Sequence, residues 1–140
     1  MNANVTWKHG MSFEGSAAPS GFSLQLGTDP AVGGSNDGFR PLELFLIGLA
    51  GCTAMDTISI LSKMKQDVTG FEVNVQAEQK NEHPRAFIKV VLEYVITGNK
   101  IDDSAVERAV KLSEERYCPA QAMLSPTVPI EHKIKILKLS

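Results

Sequence analysis

The spacing of hydrophobic residues changes along the chain and predicts which segments form helices and which form strands. After Gly70, apolar and polar residues alternate with a period of two, which is typical of a strand with one buried face. From Pro41 to about Lys65 the pattern is typical of a helix, because proline suits the first helical position. No charged residue lies between Leu44 and Met55, so we expect this helix to be buried on nearly all sides.

Turn-forming residues mark where the other elements begin and end along the chain. Glycine and proline separate three short N-terminal strands, and a turn at Pro84 joins two longer strands. Ser104 and Glu107 have capping-box spacing, so a second helix is expected to begin there and to end at Cys118 and Pro119. This order predicts an α+β fold with an antiparallel sheet and a long buried central helix. The expected strands are 5–8, 11–14, 22–26, 71–78, 86–97 and 130–139, and the expected helices are 41–65, 104–117 and 120–124. The apolar stripe of the second helix is expected at Val106, Ala109, Val110 and Tyr117.

Size and charge restrict the possible functions. A chain of 140 residues and 15.2 kDa fits a single domain spanning residues 1–140. The formal net charge is −2, which does not favour nucleic acid or an anionic membrane as a partner. The longest apolar run, residues 44–50, is shorter than the roughly 20 residues of a membrane span. The N-terminus lacks the pattern of a secretion signal, so we expect a cytoplasmic protein without a membrane partner.

Two cysteines are the main candidates for chemistry. Cys52 lies inside the apolar helix, whereas Cys118 precedes Pro119 and is expected at a helix N-terminus, which favours a thiolate. In a reducing compartment the pair is not expected to be a permanent disulfide, and both residues could instead be ordinary core cysteines. Neither a CxxC nor an HxxxH spacing is present, so no metal and no cofactor are expected. The three histidines are expected on solvated turns or strand faces; they are His9, His83 and His132.

The sequence around each cysteine resembles a known family. Residues 40–53, RPLELFLIGLAGCT, resemble the cysteine helix of the OsmC/Ohr superfamily, and residues 115–119, ERYCP, resemble its second cysteine site. The first motif is most similar to the YhfA-like branch, and the resemblance covers nearly the whole chain. It implies an OsmC-like fold and an intertwined homodimer, in which the long helices of two chains pack between their sheets.

The resemblance also implies redox chemistry. In active members of the superfamily the first cysteine attacks the O–O bond of an organic hydroperoxide and becomes a sulfenic acid. The second cysteine condenses with it to a disulfide, which a dithiol reductant reopens. By position, Cys52 would be the peroxidatic cysteine and Cys118 the resolving one.

The chain departs from the hydroperoxide reductases at two supporting positions. Those enzymes use an arginine from the N-terminal strands and a glutamate ten residues before the first cysteine, whereas here no arginine precedes Arg40 and Glu43 stands nine residues before Cys52. Arg40 is the expected substitute for stabilising the thiolate and the peroxide, with Glu43 orienting it. If the central helices of two chains run antiparallel, either residue could approach Cys52 of the second copy. Alternatively, Arg40 is a solvated loop charge and Glu43 only complements the helix dipole.

Three functions therefore stay open at this point. The first is a thiol-dependent organic hydroperoxide reductase acting in oxidative-stress defence. The second is an OsmC-like binding or redox-sensing protein without peroxidase activity, which the missing N-terminal arginine favours. The third is a hot-dog thioesterase in which Glu43 or Asp56 would be the base. Asp56 follows Cys52 by one helical turn, where its carboxylate would disfavour a thiolate unless it faces solvent or pairs with Lys63 or Lys65.

Overall fold

Residues 1–139 are described by a computed structural model, in which the chain divides into two units. The first unit is Met1–Phe45, and the second contains the rest of the chain from Leu46. Each unit has a three-stranded sheet of its own. The expectation of one domain over the whole length stays a prediction.

The first unit is built on an antiparallel sheet in the order β1-β2-β3. The three strands predicted for this region are confirmed, and the first two are longer than predicted. The glycine-rich segment after them is fixed at its far end, where the Phe39 N–H donates to the Gln25 carbonyl at 2.9 Å. The strands are β1 (Asn2–His9), β2 (Ser12–Ala18) and β3 (Ser23–Leu26).

The central helix, α1 (Pro41–Lys63), begins at the predicted proline. Its first turn is fixed by Glu43, whose carboxylate accepts the Arg40 backbone N–H at 2.7 Å, as in the reach-back half of a capping box. It ends at Lys63, two residues before Lys65, which adopts a positive φ of 58°. Its buried residues are spaced by four and form one stripe; they are Leu49, Thr53, Thr57 and Leu61.

The prediction that α1 is buried nearly all round is not met within the single chain. The face opposite the buried stripe carries apolar residues in solvent, with Ile47 53% and Met55 74% exposed. On the same face, Gly48 and Gly51 have no atom within 4 Å of where a Cβ would stand. The uncharged sequence predicted apolar neighbours all around the helix. In the single chain, apolar neighbours cover only the face that carries the buried stripe.

The length of α1 also affects the membrane expectation. By length and composition this helix could cross a membrane, with a mean hydropathy of 1.8 in an 18-residue window of which 28% is buried. The apolar run 44–50 is short, but Gly51 and the threonines that follow it lower the mean hydropathy of the helix only slightly. Buried core helices of soluble proteins have the same composition, so a single such helix does not establish a membrane span.

The second unit contains a mixed sheet. Its central strand pairs antiparallel with the preceding strand, as predicted, but parallel with the last strand. The prediction of a wholly antiparallel sheet is therefore wrong, because alternation identifies a strand but does not determine its direction. The strands are β4 (Asp67–Gln79), β5 (Phe87–Asn99) and β6 (Ile130–Lys138).

The connection between β5 and β6 carries the second helix, α2 (Asp103–Leu112). Its N-cap is Asp102 rather than Ser104, since the Asp102 carboxylate accepts the Ser104 N–H at 3.0 Å. The last turn, Ser113–Tyr117, is π-helical. This wider turn shifts the phase of the helix, so Tyr117 is 54% exposed and its predicted place in the apolar stripe is wrong. The buried stripe of α2 is otherwise as predicted, at Val106, Ala109 and Val110.

The core of the second unit lies between α1, α2 and one face of the sheet. Alternate residues of β5 are fully buried there, as the period-two pattern requires. A short helix, α3 (Pro119–Leu124), follows the π turn as predicted. The most buried core residues are Leu49, Leu61, Val90, Leu92, Tyr94, Ile96, Val106 and Ala109.

Candidate functional site

The fold of the second unit brings the two cysteines together. Cys52 lies on α1 at the border of its buried stripe, and Cys118 lies between the π turn and α3. The sulfur atoms of Cys52 and Cys118 and a carboxylate oxygen of Asp56 all lie within 4.8 Å of one another. Cys52 and Asp56 are half-buried, whereas Cys118 is buried. Both sulfurs are free thiols.

Cys118 is placed by the helix that follows it. It is the N-cap residue of α3, and its sulfur accepts the Gln121 backbone N–H at 3.4 Å. Burial raises the pKa of the Cys118 thiol to about 11, and the neighbouring Cys52 thiol contributes to the rise. Cys118 lies at the helix N-terminus as predicted, and the amides of Gln121 and Ala120 lower its pKa, but burial outweighs them.

A cavity of about 250 Å³ opens beside this cysteine. Cys118 contributes to its wall, although the residue is only 3% exposed. Its lining residues are Glu114, Glu115, Arg116, Tyr117, Cys118, Pro119 and Ala122.

Asp56 is held by a hydroxyl group rather than by a cation. The Ser113 hydroxyl donates to its carboxylate at 3.1 Å. Within residues 1–139, no ion pair involves Asp56, so the proposed pairing with Lys63 or Lys65 does not occur. A potential negative charge therefore lies beside both thiols without a cationic partner.

A chain of hydrogen bonds inside the core ends at this carboxylate. The one hydroxyl hydrogen of Ser113 is used in the bond to Asp56, so the Ser113 oxygen accepts a hydrogen bond from the Thr53 hydroxyl at 2.7 Å. Thr53 in turn accepts from the Tyr94 hydroxyl at 2.9 Å and from the Gln121 side-chain amide at 3.1 Å. Every donor in the chain thus points towards Asp56.

Two aromatic residues close the other end of this network. The Gln121 side-chain oxygen is 2.8 Å from His132 Nε2, so His132 donates from Nε2. His132 stacks on Tyr94 with ring centroids 6.1 Å apart, and burial raises the pKa of Tyr94 to about 12. The prediction that His132 lies on a solvated strand face is therefore wrong, because its strand turns that side towards the core.

Arg40 and Glu43 belong to the start of α1. Arg40 is half-buried, and its guanidinium Nη1 donates to the Gly38 carbonyl at 3.5 Å, at the long end of the hydrogen-bond range. Glu43 is exposed and accepts the Arg40 backbone N–H. This contact agrees with a helix-capping role for Glu43, and the catalytic roles expected for the two residues stay predictions.

The sequence of the site region matches a family defined in other proteins. The model of the family described as OsmC-like protein matches residues 34–133, which include both cysteines and the whole hydrogen-bond network. The chain belongs to the OsmC-like family. This membership confirms the resemblance seen around the two cysteines and disfavours the hot-dog thioesterase.

Similarity to individual OsmC-like proteins extends over the full length. Protein YhfA of Escherichia coli strain K12 is 38% identical over 138 residues, covering 98% of both chains. The crystal structure of an OsmC-like protein from Mycoplasma pneumoniae superposes with a TM-score of 0.83 at 16% identity, covering 97% of this chain and 96% of that one. An organic hydroperoxide resistance protein OsmC from Legionella pneumophila gives a TM-score of 0.73 at 18% identity, with coverages of 96% and 95%. At these identities the two structures establish the fold alone.

The polar network around the cysteines was not predicted from the sequence. Thr53, Ser113 and Gln121 come from α1, the π turn and α3, so no local spacing relates them. The one available signal was polar: Thr53 and Thr57 recur at i and i+4 within an otherwise apolar helix.

Proposed function

We propose that the protein reduces organic hydroperoxides through a redox cycle of Cys52 and Cys118. The observation that carries this proposal is the approach of their sulfur atoms to within 4.8 Å, although the residues are 66 positions apart. An S–S bond is about 2.0 Å long, so a modest movement of the Cys118 segment would be enough to form it. The name of the Legionella pneumophila relative, an organic hydroperoxide resistance protein, agrees with this chemistry.

The proposed reaction has two steps with a defined role for each sulfur. The Cys52 thiolate attacks the hydroperoxide, an S–O bond forms as the O–O bond breaks, and the alcohol leaves after taking up a proton. Cys118 then displaces the sulfenic oxygen as water, and its thiol proton leaves with that water. One hydroperoxide and two thiols give one alcohol, one water and one disulfide. A dithiol reductant reduces the disulfide and is itself oxidised.

Burial supports this division of roles between the two cysteines. Cys52 is half-buried at the border of α1, whereas Cys118 is 3% exposed. The more accessible sulfur is the better candidate for meeting a substrate, and the enclosed one for closing the disulfide. In this proposal Arg40 stabilises the thiolate and the peroxide, and Glu43 orients Arg40, as a contribution from a second copy of the chain.

A second candidate is an OsmC-like binding or redox-sensing protein without peroxidase activity. The position of Asp56 favours it, because within residues 1–139 the group beside the two sulfurs is a carboxylate and not a cation that could stabilise the reacting peroxide oxygens. The lack of any arginine before Arg40 favours it as well.

Counting thiols after addition of peroxide separates the two candidates. Reduced protein, kept in a metal chelator, is titrated with cumene hydroperoxide, and free thiols are counted by mass spectrometry. The proposal expects loss of both thiols at one equivalent, and Cys118→Ser should retain an oxidised Cys52. An exposed Glu107→Gln variant should behave like the unaltered protein. Persistence of both thiols in excess peroxide would overturn the proposal in favour of the second candidate, and faster oxidation of Cys118 in a Cys52→Ser variant would reverse the roles.

The wider setting of this function is also proposed. We expect a cytoplasmic, intertwined homodimer that needs no cofactor, with a small-molecule hydroperoxide as substrate, a cellular dithiol as reductant, and neither nucleic acid nor membrane as a partner. The exposed apolar face of α1 supports the homodimer, because its side chains lack neighbours in the single chain.

A further inference from the structure

We propose that Cys52, Asp56 and Cys118 form a binding site for a thiophilic divalent cation, with Zn²⁺ as the representative ion. The inference goes beyond the proposed function, since it requires no peroxide and no change in oxidation state. It also departs from the expectation drawn from sequence spacing, which looks for paired ligand motifs. Here the ligands come from two segments that only the fold brings together.

The distances are close to those of a metal site. In a tetrahedral Zn²⁺ site two thiolate sulfurs lie about 3.8 Å apart, and a sulfur and a carboxylate oxygen about 3.5 Å apart. Because the three ligand atoms already lie within 4.8 Å of one another, each pair needs to approach by no more than about 1.3 Å. Side-chain rotation can supply such a shift. Forming a disulfide requires a larger approach, to about 2.0 Å.

The positions of the ligands along the chain suit chelation. Cys52 and Asp56 are one helical turn apart on α1, so both side chains project from the same side of a rigid helix. Cys118 is anchored separately by the Gln121 N–H. Two ligands on one helix and a third from a neighbouring segment reduce the conformational entropy lost on binding.

Charge provides an independent argument. Two thiols and a carboxylate form a cluster in which no Lys or Arg pairs with Asp56 within residues 1–139. Binding Zn²⁺ would form two Zn–S bonds and one Zn–O bond, and would release the two thiol protons to solvent. The divalent cation would thus balance the charges of the carboxylate and of the two thiolates that form when it binds.

The surroundings of Asp56 resemble the outer shell of a metal site. Metal-ligating carboxylates are commonly held by hydrogen bonds that fix their orientation. The Ser113 hydroxyl does this for Asp56, and Thr53 and Tyr94 extend the chain of donors behind it. A water molecule or a small ligand would complete the tetrahedral coordination.

Cobalt and zinc titrations test this site directly. Fully reduced, metal-free protein is titrated with Co²⁺ in the absence of oxygen and peroxide, and the Co²⁺ is then displaced with Zn²⁺. We expect one metal ion per chain and the near-ultraviolet absorption of thiolate–cobalt charge transfer. Asp56→Asn should weaken Zn²⁺ binding at least about tenfold, and either Cys→Ser variant should reduce the charge-transfer band and weaken binding further.

Surface histidines provide the matched control. His9 and His83 are both exposed, so a His9→Asn/His83→Asn variant should bind the metal as the unaltered protein does. Circular dichroism of every variant checks that the fold is retained. Absence of a thiolate band, or binding that the Asp56 and cysteine substitutions do not change, would overturn the site. Because the peroxide assay is run in chelator and the metal titration without peroxide, either proposal can fail alone.

Discussion

Thr53 is the residue on which the buried polar cluster of the second unit depends. Its hydroxyl oxygen accepts hydrogen bonds from Tyr94 and Gln121, and its hydroxyl group donates one to Ser113. Ser113 in turn donates to Asp56. Tyr94, Ser113 and Gln121 are themselves buried, so none of them can bond to water instead if the Thr53 hydroxyl is removed. A threonine in the core of an apolar helix thus orients the side chains around both cysteines.

Replacing Thr53 with valine removes the hydroxyl while keeping nearly the same shape. We expect the free energy of unfolding to fall by about 2–3 kcal/mol, because Tyr94, Gln121 and Ser113 each lose a hydrogen-bond partner in the core. Urea denaturation monitored by circular dichroism measures the change.

Thr69→Val is the matched control for this substitution. Thr69 is exposed on β4, and its hydroxyl makes one long hydrogen bond of 3.3 Å to the Thr97 carbonyl. Its replacement should therefore change the free energy of unfolding by no more than about 0.5 kcal/mol. Equal losses in the two variants would contradict a special role for the buried network.

At the scale of elements, the β4–β5 pair is tight at one end. Gly98 of β5 lies against the Asp67 backbone, and a Cβ there would collide with the Asp67 carbonyl oxygen and lie 2.7 Å from Ile101 Cδ1. Gly70, on the facing strand, has more room, since its Cβ would meet Thr97 Cβ at 3.5 Å. Two glycines in the same ladder therefore have different constraints.

Gly98→Ala should destabilise the protein by about 2–4 kcal/mol, because the backbone of β4 must move to admit the new methyl group. Gly70→Ala should change the stability by less than about 1 kcal/mol. Thermal unfolding of both variants measures the difference. A Gly98→Ala variant as stable as Gly70→Ala would show that the ladder can relax at this point.

The elements also show which parts of the fold the sequence could predict. Proline at the start of α1 and alternation in β4 are local signals, and both elements form as expected. The direction of β6 depends on the path of the whole connection before it, which no local pattern contains. The exposure of Tyr117 depends on a single π turn, whose register shift is invisible in a 3.6-residue period.

At the scale of the whole molecule, the outer face of α1 is an exposed apolar surface. Ile47, Met55 and Ile58 lie on it in solvent, next to Gly48 and Gly51. A contiguous apolar face of this kind is a common mark of an interface. A second copy of the chain, packed through the small residues, would cover it.

Met55→Lys tests this interface against a matched substitution. The unaltered protein should have twice the 15.2 kDa chain mass by light scattering after gel filtration, and Met55→Lys should shift it towards one chain because a charge cannot be buried unpaired. Met123 on α3 is 73% exposed, against 74% for Met55, so Met123→Lys should leave the mass unchanged. A single-chain mass for the unaltered protein would contradict the homodimer, whereas its co-sedimentation with lipid vesicles would contradict the expectation that no membrane is a partner.

The same scale limits what the sequence could predict about the site. The family motifs identify Cys52 and Cys118 as a pair because they include both residues and their surroundings. The contact of Asp56 with Ser113 joins residues 57 positions apart, so it appears only when α1 and the π turn are packed together.

Cys118 lies on a connection whose two ends, β5 and β6, are adjacent strands of one sheet. Nine consecutive residues of each strand are in register, from Val90 with Ile130 to Gly98 with Lys138. This ladder fixes both ends of the connection, so any movement of the Cys118 sulfur must be taken up within residues 100–129. Formation of the proposed Cys52–Cys118 disulfide should therefore leave the pairing of β5 with β6 unchanged.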